Sequence, residues 1–531
     1  MNTITIAGNT SYVYNIGPFI QWGDFAMRDA YTILDIIKQP AHTTVKVNEI
    51  DRTTGKYQLI ITPDTNYSGN PGDFIFQISK HDNSFWDPNN KTSLAYYDLN
   101  INVMPPTTYT FAANQTATVS NSGATINIAN NDIITASGDI FKVAAGATDT
   151  IIGTGNTINL TNNDKITASG NTFNIGANLT ETIIGDGNTI NGAKGDTLTV
   201  NGSGNTISTS NASIILASGV TDTVNPNGIS NTITLNNGAT VFASGDWVNL
   251  GAGVSGTVLG GGDTITLADG DTITVGGNGQ NGWIDAINLN SGTIFGKTGS
   301  NLLINGTKNT INATNSTFSV LANDTETFIG SGNTINLASQ DNITVNGTKN
   351  DIWTNGSSQD NITVNGTKNE IHINGSNNII NSGGNNNYNL YGDFQHTIIN
   401  NAATGSNSTP NGGIYIGATN NPNQLWFEKV GNNLHINLLG THRDITIAGW
   451  YSNAGAEISN FYTASVDDGI KLGLYNLSYS HVTSLVQGMA TYRSQNSAFD
   501  PFTTTQMPSN QALQSVINTA WSFSPFGSVL V

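Results

Sequence analysis

Three stretches align almost without gaps: TDTIIGTGNTINL at 148–160, TETIIGDGNTIN at 180–191 and TETFIGSGNTINL at 325–337. A fourth, SGTVLGGGDTITL at 255–267, keeps the pattern with Asp263 where the others carry Asn. Upstream of them lie aromatic strands, IFKV at 140–143, TFNI at 172–175, WVNL at 247–250 and TFSV at 317–320, and DNITVNGTKN occurs at 341–350 and again at 360–369. The Asn-Thr-hydrophobic core recurs at Asn156, Asn171, Asn188 and Asn205, in steps of 15, 17 and 17 residues. Self-similarity at this period marks an array of stacked coils. A short strand such as T-I-N-L turns one Ile, Leu or Val inward and leaves Thr or Asn outward. Gly supplies the backbone angles of tight corners, and Asn at fixed repeat positions can build hydrogen-bonded ladders from coil to coil. No Arg occurs between Arg52 and Arg443, so no guanidinium interrupts the stack. Residues 107–400 therefore read as a β-solenoid, of the parallel β-helix or β-roll kind, at the centre of an all-β chain.

The 531 residues leave room for further domains on either side. Residues 1–106 read as a β-sandwich: the alternating runs Tyr57-Gln58-Leu59-Ile60-Ile61 and Phe74-Ile75-Phe76-Gln77-Ile78 are divided by Asn/Gly/Pro turns, and Pro105-Pro106 stiffens the exit. Residues 401–475 read as a small β domain with strands at 426–429, 434–438 and 444–447. Residues 476–531 read as a charge-poor region with short helices near 482–492 and 510–521 and an apolar tail at 526–531.

Only 10% of residues are charged, and 18 Lys plus Arg against 36 Asp plus Glu leave a formal charge of −18. That balance disfavours nucleic acid and anionic membranes as partners. The absence of cysteine removes disulfides, thiol nucleophiles and thiolate metal sites. No run approaches the length of a membrane-spanning helix, so no membrane span is expected. The N-terminus carries no basic residue before Arg28 and no apolar run, so it does not read as a secretory signal peptide.

Two segments resemble known families. GKYQLIITPDTNYSGNPGDFIFQIS at 55–79 resembles the tandem cadherin-like and immunoglobulin-like domains of bacterial surface proteins, through Pro63, Asp64, Asn66, Tyr67, Gly69, Asp73, Phe74 and Phe76. It departs from them in a longer turn at Pro71-Gly72 and in occurring once. LWFEKVGNNLHINLLGTHRDITIAGWY at 425–451 resembles the domain that follows the repeats in haemolysin-type calcium-binding proteins of the RTX class, through Leu425, Phe427, Gly431, Asn432, Leu434, Gly440, Thr441, Ile447, Trp450 and Tyr451. VTSLVQGMATY at 482–492 matches that family's short helix, and the tail at 526–531 is similar to an uncleaved type I secretion signal. The resemblance implies export by type I secretion machinery to the surface of a Gram-negative bacterium, and calcium as a ligand.

Calcium-binding nonapeptides place Asp between Gly turns. GGGDTITLADGDTITVGG at 260–277 is the nearest approach, offering Asp263, Asp269 and Asp271, and GDGNTIN at 185–191 adds Asp186. Elsewhere Asn stands in these positions, a weaker calcium ligand than a carboxylate. No organic cofactor is expected. Parallel β-helices also host polysaccharide lyases and hydrolases, but those need convergent carboxylates or a carboxylate beside Arg or Lys. Here the seven lysines of the repeat region are scattered, three of them (Lys308, Lys349, Lys368) in one repeated G-T-K-N turn, and His372 and His396, with no obvious partner in sequence, read as solvated or hydrogen-bonded surface residues. Thr-x-Thr at 232–234, 264–266 and 272–274 raises ice binding, against ordinary outward β-branched residues.

The function expected from these features is a non-catalytic, secreted structural protein that self-assembles head to tail into filaments or a surface layer, with cell-surface polysaccharide as a further partner. The alternatives are a monomeric adhesin for glycan or surfaces, a polysaccharide-degrading enzyme and a phage tail fibre. Thr3-Ile4-Thr5-Ile6 would either pair with a neighbour's sheet edge or form the first strand of its own domain.

Overall fold

The computed structural model describes residues 2–9, 11–16, 31–51, 56–65, 67, 69–81, 91–104, 107–224, 230–276, 284–401, 411–417, 419, 421–467 and 470–525. Pro105-Pro106, Asn66 and the apolar tail at 526–531 lie outside them. Among these residues the chain is β-structured apart from short helices, and it divides into two compact units, Met1–Thr209 and Ser210–Val531.

The first unit opens with seven strands: β1 (Asn2–Ala7), β2 (Tyr12–Ile16), β3 (Tyr31–Lys38), β4 (Thr43–Asp51), β5 (Lys56–Pro63), β6 (Asp73–His81) and β7 (Lys91–Met104). They form one sheet in the order β1-β7-β6-β3 and a second in the order β2-β5-β4. Alternation decides the faces: Tyr57, Leu59 and Ile61 of β5 turn inward, as do Phe74, Phe76 and Ile78 of β6, and they close one core with Ile4, Ile6, Ile101 and Val103. β1 pairs in parallel with β7, Ile4 opposite Ile101, so Thr3–Ile6 is a strand of its own domain and not one donated to a neighbour. Gly69 and Val103 exchange both main-chain hydrogen bonds, at 2.9 and 2.8 Å, which fastens the motif turn to β7.

Beyond Thr107 the same unit becomes a two-sheet solenoid. Each coil gives one strand to each sheet, and all neighbours are parallel. In one sheet Ile126, Phe141, Ile158, Phe173, Ile190 and Ile207 stand in register, strand upon strand, and all are buried. These are the Ile and Phe of the Asn-Thr-Ile and aromatic-strand repeats. The outward Thr neighbours are polar but β-branched, which suits a half-exposed strand.

The second unit repeats the plan. One of its sheets carries the inward column Ile273, Ile294, Ile311, Phe328, Val345, Val364. The opposite sheet carries Leu302, Phe318, Ile335, Ile352, Ile371, Tyr388, Ile414. The parallel pairing extends beyond residue 400, through Asn411–Ile416 and on to Asp444–Ile447 and Ile458–Asp467. It then gives way to two antiparallel meanders. Strand Thr397–Asn400 pairs with Asp444–Ile447, which leads back through Asn433–Leu438 to Leu425–Val430. Strand Asn411–Ile416 pairs with Ile458–Asp467, which leads to Ile470–Ser478 and Trp521–Pro525. All three strands expected in 425–451 are present, and so are both helices, as α1 (Tyr479–Gln495) and α2 (Gln511–Ala520). Helix α2 starts at Asn510 because its side chain accepts from the Leu513 N–H at 3.1 Å. Helix α1 buries Val482, Leu485, Val486 and Met489, and the helices approach closely where Gly488 meets Val516. Trp426, Phe427 and Phe461 are buried beneath this cap.

The corners explain the glycines. Gly330 has φ +137°, and a Cβ there would stand 1.8 Å from the Ala313 carbonyl oxygen one coil earlier. No rotamer change relieves a clash with main chain. Gly330→Ala is therefore expected to destabilise the second unit by at least about 2 kcal/mol, read as a lower denaturation midpoint of the full chain, whereas Gly431→Ala, at a φ of +60° with open space around its Cβ, pays only the conformational cost.

Candidate functional site: inner ladders, acidic turn and outer faces

Where a strand begins after a corner, its first N–H groups point along the solenoid axis and need acceptors. In the second unit these come from asparagine. Asn333 Oδ1 accepts from the Ser316 N–H at 3.0 Å, Asn350 from Asn333 at 3.0 Å, Asn369 from Asn350 at 2.8 Å and Asn386 from Asn369 at 3.0 Å. Each Nδ2 donates to a main-chain carbonyl: Asn333 to Ala313 at 2.9 Å, Asn350 to Gly330 at 3.0 Å, Asn369 to Gly347 at 3.1 Å. The first unit has the same device in Asn156, Asn171, Asn188 and Asn205. These asparagines are buried, unlike the outward ones expected from the strand pattern. The reason is local: in N-T-I-N the first Asn lies at the corner and turns inward, while the last lies on the strand and turns outward.

The sequence candidates Asp263, Asp271, Asp269 and Asp186 do not converge. Asp263 precedes a strand of one sheet and Asp271 precedes the next strand, which belongs to the opposite sheet. Asp263 Oδ1 accepts from the Asp246 N–H at 2.9 Å. Both oxygens of Asp271 are taken by main chain: Oδ1 by Gly253 and Val254 at 2.8 and 3.2 Å, Oδ2 by Ala268 at 2.9 Å. Asp269 is exposed on the turn between them. Asp186, in the first unit, is exposed and accepts from the Ser203 N–H at 2.6 Å. Among the described residues no three His, Asp or Glu side chains gather to hold a metal ion. As arranged, Asp263, Asp271 and Asp186 accept main-chain hydrogen bonds at corners, and Asp269 stands exposed on the turn.

Among the described residues a dense ionic cluster lies in the cap, where Glu428, His435 and Asp444 of one meander meet His396 and Arg493 from distant parts of the chain. His435 Nε2 is 2.9 Å from Asp444 Oδ2, and its Nδ1 is 3.2 Å from Glu428 Oε1. Arg493 of α1 pairs with the other oxygen of Glu428, and His396 Nδ1 lies 2.9 Å from Asp444 Oδ1. The hydrogen bonds to Asp444 and Glu428 push the His435 imidazole up to about 9, against the opposing effect of burial. Burial alone would raise both carboxylates, but the bonds from His435, with Arg493 or His396, hold them below their ordinary range. The group is a staple between meander and helix.

The outer faces carry no such cluster. Thr272, Thr293, Thr310, Thr327, Thr344 and Thr363 form one unbroken column in the second unit, at the ~4.8 Å spacing of paired strands. Beside it run outward asparagine ladders, Asn361 to Asn342 at 3.1 Å and Asn365 to Asn346 at 2.9 Å. On the opposite sheet Trp353 and His372 stack with centroids 3.6 Å apart, and Tyr391 lies 5.6 Å beyond. His372 is hydrogen-bonded, to Asp351 through Nε2 at 2.6 Å and to the Tyr391 hydroxyl through Nδ1 at 2.5 Å. Glu370 accepts from Asn387 and Asn389, both at 2.8 Å. Lys308, Lys349 and Lys368 all adopt left-handed φ, at 64°, 59° and 62°, which makes G-T-K-N a repeated turn. No helix among the described residues is long and apolar enough to cross a membrane. No protein-family model matches the chain, and no curated protein matches it.

Two outcomes follow from this geometry. Asn350→Ala strips partners from the Asn333 N–H and the Gly330 carbonyl and should cost about 3 kcal/mol in a denaturant titration of the full chain. The His435 contribution to cap stability is fully present below the free imidazole value near 6.5 and is lost as pH rises through about 9. Fluorescence of Trp426 and Trp521 should therefore report loosening of the cap between pH 8 and 10 (roughly one unit either side of the shifted value), and His435→Gln should remove that transition.

Proposed function

We propose that the chain is a secreted structural protein that assembles with copies of itself into extracellular filaments or a surface layer. One observation carries the reading: successive coils repeat uncharged Thr and Asn columns in register on their outer faces, while the inner polar positions hold coil to coil. A surface with one repeated spacing offers the same contact many times, which suits a lattice or bundle better than the single concave pocket of an enzyme. Export by type I secretion machinery and a place on a Gram-negative surface belong to the same reading, and rest on the resemblance of residues 425–451 and 482–492.

A second reading, a monomeric adhesin for glycan, draws on the outward Trp353, His372 and Tyr391 group beside Asp351, Glu370, Asn387 and Asn389. Planar amides and carboxylates beside aromatic edges are groups that hydrogen-bond saccharide hydroxyls.

Negative-stain electron microscopy of the purified full-length protein, dialysed with millimolar calcium or with a chelator, separates the readings. Regular filaments or sheets are expected, and their loss in chelator would make calcium part of assembly. Monodisperse particles in both conditions would overturn self-assembly. Binding of that monomer to a glycan array, lost on Trp353→Ala, would then establish the adhesin.

A further inference from the structure

The inner ladders are not asparagine throughout. In the second unit the rungs Asn231, Asp246, Asp263 and Asp285 follow one another, each accepting from the main-chain N–H of the rung before: Asn231 to Asp246 at 2.9 Å, Asp246 to Asp263 at 2.9 Å, Asp263 to Asp285 at 3.1 Å. All are buried. One oxygen of each Asp is thereby used. The other, Oδ2, meets no hydrogen-bond partner among the described residues in Asp246 and in Asp263.

In Asp263 that second oxygen corresponds in sequence position to the Nδ2 of an asparagine rung. Asn333 follows Gly330, whose Cα packs on the Ala313 carbonyl, and its Nδ2 donates to that carbonyl at 2.9 Å. Asp263 follows Gly260, which packs in the same way on the Ala243 carbonyl. An ionised carboxylate would set a negative oxygen against a carbonyl at a buried position, where solvent screens charge poorly. Adjacent rungs would add repulsion at about one strand spacing.

Nothing positive is at hand. No Lys, Arg or His occurs between Lys194 and Lys297. The titratable groups that face Asp263 are Asp246 on the preceding coil and Asp285 on the following one. The neighbouring strand Trp247–Leu250 and the strands Ser255–Gly261 and Thr272–Val275 of the opposite sheet carry none.

We propose that carboxyl groups replacing asparagine on these inner rungs are protonated in the folded protein, donate through the acid hydroxyl where asparagine would donate through its amide, and make coil stacking depend on pH. Burial pushes Asp263 up to about 7 and Asp246 and Asp285 to about 6, in agreement with this geometry. The first unit holds a like case: Asp139 Oδ1 accepts from the Ala124 N–H at 2.9 Å, its Oδ2 meets no partner among the described residues, and burial raises its carboxyl.

The direction of the dependence is fixed. These acids bind protons more tightly folded than unfolded, so their contribution is fully present below the ordinary carboxylate value near 4 and is lost as pH rises through about 6 to 7. Asparagine at the same rung needs no proton.

The test uses thermal unfolding of the full chain at pH 5 and pH 9, for the unmodified protein, Asp246→Asn/Asp263→Asn, and Asp269→Asn as a control that removes an exposed charge. The unmodified protein should melt lower at pH 9, where loss of the His435 contribution adds to the effect, and the share of the inner rungs, roughly 3 °C or more, is the part that the double variant removes. The double variant should match it at pH 5 and exceed it at pH 9, and the control should follow the unmodified protein. A double variant less stable at both pH values would overturn the proposal, and so would an equal gain in the control. Infrared spectroscopy gives an independent readout: at pH 5.5, about where exposed carboxylates are ionised, a protonated carboxyl band should be present and should weaken in Asp263→Asn. Its absence from the unmodified protein would overturn the proposal whatever the melting data.

Discussion

A two-sheet solenoid turns a corner after every strand, and each corner leaves main-chain donors pointing along the axis with no strand to receive them. Everything else in the repeats accommodates that constraint. Inward Ile and Phe columns supply apolar burial and forbid a one-residue slip, which would turn them outward, but a two-residue slip keeps the same face inward, so burial alone leaves the register underdetermined. The ladders do not. Asn350 reaches the Asn333 N–H with one atom and the Gly330 carbonyl with another only when the coils are stacked in one register. The neighbouring glycine must lack a side chain for that carbonyl to be reached at all. Asn, Gly and a β-branched or aromatic inward residue are therefore one unit of structure, and their recurrence together is the repeat.

That coupling is why so much of the fold was legible. The Asn-Thr-Ile period marked the coils, and the inward Ile followed from strand alternation, as Ile158, Ile190 and Ile335 show. The meander at 425–447 was legible from its alternation and turns. The sequence left one distinction unmade, where two positions share one residue type. Asn156 and Asn159 look alike in N-T-I-N, yet one is a buried rung and the other an outward strand residue bonded to the Phe141 carbonyl at 3.1 Å. The acidic turn is divided by the fold: Asp263 and Asp271 are close in the chain but begin strands of opposite sheets, because a coil crosses from one sheet to the other in about eight residues. The cap network was out of reach, since Glu428, His435, Asp444 and Arg493 meet only after the meander folds under α1.

The two ends of the second unit's logic differ in kind. Within the repeats, cohesion is periodic and carried by asparagine and aspartate side chains on main-chain groups. At the cap it becomes ionic and aromatic: His435 sits between two carboxylates, Arg493 ties α1 to the meander, and Phe427 meets Phe461 edge-on at 5.7 Å. A parallel stack can always accept another coil, so stopping it takes strands that run the other way. The antiparallel meanders after Asn400 and Ile416 provide that stop, and α1 and α2 cover the apolar residues that a further coil would have buried.

The acidic composition also takes on a different meaning once the residues are placed. A formal charge of −18 reads as a repulsive surface. Yet many of the acids are interior: Asp132, Asp164 and Asp196 in the first unit and Asp246, Asp263, Asp341 and Asp360 in the second are buried at corners, where they accept main-chain hydrogen bonds. The outer faces beside them are largely threonine and asparagine. Net charge counted from sequence thus overstates the field that a neighbouring molecule meets. A face of neutral, regularly spaced donors and acceptors carries little long-range repulsion to overcome, and hydrogen bonding at short range decides what it holds. In this protein acid residues belong chiefly to the account of how the coils hold together, and threonine and asparagine to the account of what the surface can meet.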